Sequence, residues 1–149
     1  MINDNLKLRG DVAIVLKDKN GNIKETREIN NLVVTTGLTF ICSRMAGTSA
    51  GVMSHMALGS GTTSPAAGQT DLVSILGSRE ALDSGTASSN TITYVSSFEA
   101  AEGTGAVTEA GIFNASSSGT MLCRTVFPVV NKQADDTMSV TWIITLTAS

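Results

Sequence analysis

Thr137-Met138-Ser139-Val140-Thr141-Trp142-Ile143-Ile144-Thr145-Leu146-Thr147 is the stretch that decides the fold class. Met138, Val140, Trp142, Ile144 and Leu146 share one parity, while Ser139, Thr141, Thr145 and Thr147 dominate the other. Successive side chains of a strand point to opposite faces, so this alternation predicts a half-buried β-strand with Trp142 in the core. Burying those five apolar side chains contributes on the order of 10 kcal/mol before chain entropy is counted.

The same period runs upstream. Ile92, Tyr94, Ser96 and Phe98 alternate with Thr93, Val95 and Ser97. Val107 to Phe113 reads as the next strand, with Gly111 marking a bulge or a close backbone approach. Thr120 to Phe127 is apolar on both parities, which predicts burial on both faces. Arg124 would then need an acid, with Glu109 and Glu99 as candidates, and Pro128 is expected to end the strand. Near the N-terminus, Gly10, Val12, Ile14 and Leu16 share a face, and Asp18-Lys19-Asn20-Gly21 is a hairpin turn. The return strand, Asn22 to Asn30, is mostly polar and reads as exposed or at an edge.

Between these blocks the pattern changes. Leu38, Ile41, Cys42 and Met45 fall at helical spacing over 35–47, with Thr35 or Thr36 as cap and Gly47 as stop. Val52 to Leu58 reads as a strand, and Gly59 to Gly68 as a small, polar loop. Asp71 to Leu76 is ambiguous, Gly77 to Leu82 reads as a short strand, and Asp83 to Asn90 as a loop. Roughly eight short strands with Gly-rich turns and one helix predict an all-β, two-sheet sandwich, with a jelly roll as its natural eight-stranded form. The domain is expected over 10–149, preceded by an N-terminal arm over 1–9.

Composition narrows the function classes. Of 149 residues, 15% are charged and 4% aromatic, and the formal net charge is −3. Charge that sparse, with many Thr and Ser, describes outer faces that are cheap to desolvate against other protein. Lys17, Lys19, Lys24 and Arg27 are interleaved with Asp18, Glu25 and Glu28, which argues against a nucleic-acid groove. No apolar run reaches the length of a membrane span. Met1-Ile2-Asn3-Asp4-Asn5 is too polar for a secretory signal, so synthesis in a cytoplasm is expected, with Cys42 and Cys123 as buried free thiols.

The inventory of chemistry points away from an enzyme. His55 stands alone between Met53 and Met56, and no His, Cys and Asp set has zinc spacing. Gly59-Ser60-Gly61-Thr62-Thr63 lacks the Lys-Ser/Thr ending of a phosphate loop. Asp135-Asp136 reads as a solvated turn, and Glu99, Glu102 and Glu109 show no paired-carboxylate geometry. Neither a catalytic residue, a cofactor nor a metal is expected.

Three blocks carry a resemblance: Asn31 to Gly37, Met56 to Pro65, and Thr108 to Asn114. They resemble blocks of small virion proteins of tailed bacteriophages, and Arg124 to Phe127 and Ser139 to Trp142 look similar too. Within that group the chain is most similar to capsid decoration, or cement, proteins. The resemblance implies a dimer or trimer on the outside of the phage head that clamps neighbouring major capsid subunits. A tail or baseplate adaptor, or a fibre-associated β-module, is the alternative it leaves open. A carbohydrate-binding sandwich would be signalled by exposed aromatics, for which Tyr94 is the candidate. Capsid contact is expected from the arm, through Asn3, Asp4, Lys7 and Arg9, and from the charged hairpin, through Lys19, Lys24 and Arg27.

Overall fold

The computed structural model describes residues 5–48 and 50–148. Nine strands and one helix follow in the order β1 (Leu6–Lys17), β2 (Ile23–Val33), α1 (Thr35–Met45), β3 (His55–Gly59), β4 (Glu80–Ala81), β5 (Ser84–Ser88), β6 (Thr91–Phe98), β7 (Gly105–Phe113), β8 (Met121–Lys132) and β9 (Thr137–Ala148). They form one antiparallel sheet in the order β4-β3-β7-β8-β2-β1-β9-β6-β5.

The sheet curls on itself, because its two halves share one core. Val12, Ile14 and Leu16 from β1 and Met138, Val140, Trp142 and Ile144 from β9 line one side. Met56, Leu58, Val107, Ile112, Leu122 and Phe127 line the other, from β3, β7 and β8. The alternation read in Thr137 to Thr147 is realised, with Trp142 fully buried. The fold at the seam lies in β2. Most of β2 pairs with β1, whereas only Leu32 and Val33 pair with β8, opposite Arg124 and Cys123. The polar return strand is therefore open along most of one side, as its pattern suggested.

Several sequence expectations are corrected. The small-residue stretch after Asp83 is not a loop: Ser84–Ser88 pairs with β6 through the two-residue turn Ser89-Asn90. SGTAS carries almost no intrinsic strand signal, and the ladder to β6 overrides that. Pro128 does not end β8, which continues to Lys132. The register shifts between Val107 and Glu109, where Val130 and Val126 are the partners, so Pro128 sits at a bulge that needs no N–H from it. β3 starts at His55, three residues later than expected. Four residues assigned to the arm, Leu6 to Arg9, are the start of β1 and pair with Leu146 to Ala148 and Thr145 of β9.

α1 forms where expected but turns a different face inward. Gly37 is its buried residue, and Phe40 and Ile41 pack on the core. Leu38 and Met45 are exposed, and so is Cys42, contrary to the expected buried thiol; Cys123 is buried. The cause is Gly37: a Cβ there would stand 2.1 Å from the Leu122 carbonyl oxygen, so only glycine lets the helix backbone sit directly on β8. That contact fixes the rotation of the helix. Val34 occupies the N-cap without a side-chain cap, while Thr36 Oγ1 donates to the Met121 carbonyl at 3.0 Å. Gly47 ends the helix at φ 67°, its N–H donating to Arg44 O.

Candidate interaction surfaces

The residues expected to touch a partner do not come together. Asn3 and Asp4 lie outside the described residues. Lys7 and Arg9 are exposed near the start of β1, where Arg9 Nη2 lies 3.0 Å from Asp11 Oδ1. Lys19 is exposed in the hairpin turn at the far end of the strand. At about 3.3 Å per residue, β1 separates the two groups by some tens of ångströms.

Two of the three hairpin cations are engaged within the chain. Lys24 Nζ donates to Asp136 Oδ2 at 2.8 Å, and the same oxygen accepts the Gln133 N–H at 2.8 Å. Asp136 is buried, not solvated as its turn suggested. The hydrogen bond from Lys24 is the main reason its carboxyl lies below the ordinary range. Arg27 pairs with Glu25 and reaches across to the Val129 carbonyl at 3.4 Å, bridging the gap where β2 and β8 diverge. Asp18 Oδ1 accepts the Asn22 and Asn20 N–H groups, which holds the hairpin turn and lowers the Asp18 carboxyl.

The most elaborate polar cluster is internal. Arg124 and Glu109, both fully buried, meet at 2.8 Å across β8 and β7. Of the two acids considered for Arg124, Glu109 is the partner. Glu109 also accepts the N–H groups of Gly61 at 2.9 Å, Ser74 at 2.8 Å and Val73 at 3.1 Å. Arg124 Nη1 donates to Thr63 O and Gln69 Oε1. The pair thus fastens the long connection from Gly59 to Leu76 onto the sheet. Burial pushes the Glu109 carboxyl up, but the N–H donors and the guanidinium outweigh it and hold it below its ordinary value. Gly59 and Gly61 are required here, since a Cβ at either would stand 2.5 Å from Glu109 Oε1. The glycines that look like a phosphate loop are a carboxylate seat.

His55 is half-buried, its Nδ1 2.8 Å from Ser54 Oγ. Among the described residues, no three His, Cys, Asp or Glu side chains are grouped as metal ligands would be.

An apolar groove lies between α1 and the β5–β6 hairpin. Phe40 and Arg44 form its helical wall, and Ile92 and Tyr94 of β6 form its floor. One end, about 360 Å³, runs toward Ile144 and Leu146; the other, about 310 Å³, opens at Gly85 and Ala87 of β5. Met45 is 83% exposed at one lip and Val52 62% exposed at the other. The sequence reading missed this groove because it turned Met45 into the core. Tyr94, the candidate sugar-stacking aromatic, is buried on the groove floor, and burial raises its hydroxyl pKa to about 12.

The opposite face of the β1–β9–β6 layer is uncharged across its middle, while Lys7, Arg9, Asp11 and Lys17 stand on the same face toward the two ends of β1 and Glu28 of β2 lies beside Ala13. Across its middle, Ala13 pairs with Thr141 and Thr141 with Val95, while Val15 pairs with Ser139 and Ser139 with Ser97. Ile143, 37% exposed, lies beside them opposite Thr93.

Comparisons with protein-family models, with curated proteins and with solved structures found no match to this chain.

Proposed function

We propose that this chain is a structural protein of a tailed-phage virion, a decoration protein that binds the outside of the head and clamps neighbouring major capsid subunits. On this reading the curled sheet is a two-sheet sandwich of jelly-roll type, and the protein works as a homo-oligomer without cofactor. The observation that carries it is the uncharged centre of the outer face, at Ala13, Val15, Ser139, Thr141 and Ile143, set between the Arg9–Asp11 pair and Lys17. Docking such a face strips water from few charges, so desolvation costs little. Elsewhere the chain turns its ion pairs on itself, as Arg124–Glu109 and Lys24–Asp136 do. Weak contacts of this kind become strong when one oligomer bridges several subunits of a lattice, because each later contact is intramolecular.

The test is the number of copies per virion, by quantitative densitometry against the major capsid protein. A count in the hundreds is the expected result. A count matching a single ring of subunits would overturn the decoration reading and favour a tail or baseplate adaptor.

A further inference from the structure

We infer that the outer edge of β5 is a self-association edge, which pairs antiparallel with β5 of a second copy about a two-fold axis through Thr86. β5 ends the sheet, and all five of its residues are exposed. In an antiparallel ladder, every second residue turns its backbone N–H and C=O away from the neighbouring strand. Those groups on β5 face outward and are suited to one kind of occupant, another extended strand.

Sheet edges are ordinarily guarded by lysine, proline, a bulge or a covering element. Ser84-Gly85-Thr86-Ala87-Ser88 has no charge and no proline, and its register with β6 is unbroken from Ser84 to Ser88. The other end of the sheet is managed differently: β4 is only two residues long.

The occupant is a second copy because the strand complements itself. A two-fold axis through Thr86 sets Ser84 opposite Ser88, Gly85 opposite Ala87 and Thr86 opposite Thr86. Every pair is small or hydroxyl-bearing, and Thr–Thr and Thr–Ser pairs stabilise a ladder. A closed two-fold contact uses one patch twice and leaves no edge to propagate. The groove supports the same choice. Gly85 and Ala87 line its mouth, so the two grooves of a β5–β5 pair would meet at the axis, bringing exposed Val52 beside the partner's groove. The hairpin of Lys17 to Arg27 is a poorer self-pairing edge, because Lys24 and Arg27 are held by Asp136 and Glu25. The inference does not depend on where the protein sits in a virion.

Sedimentation equilibrium of the full chain tests it. The wild type should reach twice the 15.4 kDa chain mass as concentration rises. A variant carrying Ser84→Lys, Thr86→Lys and Ser88→Lys places three like-charged pairs face to face and should weaken the dimer by about tenfold or more. The corresponding Glu variant should do the same, and an equimolar mixture of the two should restore association. Both variants alter only exposed side chains, and far-UV circular dichroism checks their folding. Independently, Thr86→Cys in a Cys42→Ser background should form an intermolecular disulfide with oxidised glutathione, since directly opposed strand residues lie within disulfide reach. A monomeric wild type, Lys and Glu variants that dimerise undiminished, a mixture that stays monomeric, or no disulfide would each overturn the inference.

Discussion

Glu109 concentrates more of the molecule's polar chemistry than any other described carboxylate discussed above. It takes three backbone N–H groups from the connection between β3 and β4 and a guanidinium from β8. Removing one member of such a pair leaves the other charge buried without compensation, which typically costs 3–5 kcal/mol. Glu109→Ala should therefore lower stability by about 4 kcal/mol in urea unfolding, with Trp142 fluorescence as the probe. An unchanged midpoint would mean that the pair holds nothing. The pH dependence follows from the direction of the shift. A carboxyl depressed in the folded state contributes stability above its unfolded pKa and loses it as pH falls through the folded one. The wild type should thus weaken progressively as pH drops below the ordinary glutamate range. The double variant Glu109→Gln, Arg124→Met should show a shallower acid slope. Half of this cluster was legible beforehand. An arginine on a strand apolar on both parities has to be paired when buried, and that narrowed the acid to two residues. The role of Gly59 and Gly61 was not legible, because a glycine-rich stretch says only that backbone must come close to something. What it approaches is supplied by β7, far away in sequence.

At the scale of elements, the helix shows how a correct element can carry a wrong face. Period and stop signal placed α1 well, and its apolar residues permitted two overlapping stripes. The choice between them was made by Gly37 against the Leu122 carbonyl, a contact between chain segments that periodicity cannot contain. Gly37→Ala is the direct test. Helix propensity alone predicts stabilisation by nearly 1 kcal/mol. Overpacking against a backbone oxygen predicts a loss of about 1–3 kcal/mol, because neither partner is a flexible side chain. The expected outcome is the loss, seen as a lower urea midpoint with altered near-UV circular dichroism as α1 lifts from β8. A more stable variant would show that the helix can slide at no cost. β5 and β8 teach the converse lesson. Small residues and a proline read as loop and stop, yet a hairpin ladder and a bulge carry both segments as strand.

For the whole molecule, strong strands were legible one at a time, while their order was not. Alternation in β1, β6 and β9 says that each has an inner face, and nothing in it says that β9 lies between the other two. The curl depends on β2, whose first part belongs to one half of the sheet and whose last two residues join the other. Asn31 marks the turn, its side chain lying where Gly10 leaves room for it. From Ile23 to Asn31, β2 is hydrogen-bonded to a neighbouring strand on the β1 side alone, with the Thr125 hydroxyl at Asn30 O and Arg27 at Val129 O as partial closures. β9, by contrast, pairs with β1 from Thr137 to Ala148 and with β6 from Met138 to Thr145. Local opening follows the number of contacts that must break together, so the two strands should differ in hydrogen exchange. Amides of Met138 to Thr145 should exchange only through global unfolding. Amides of β2 between Lys24 and Asn30 should split by parity, those facing β1 protected and those facing β8 exchanging faster by orders of magnitude. Uniform protection along β2 would mean that the sheet closes more fully there than the two-residue junction at Leu32 and Val33 implies. Parity-split exchange would place the compliance of the fold at this seam, separated from β5 by three strands and next to the β1 residues Ala13 and Val15 that Glu28 and Thr26 pair with.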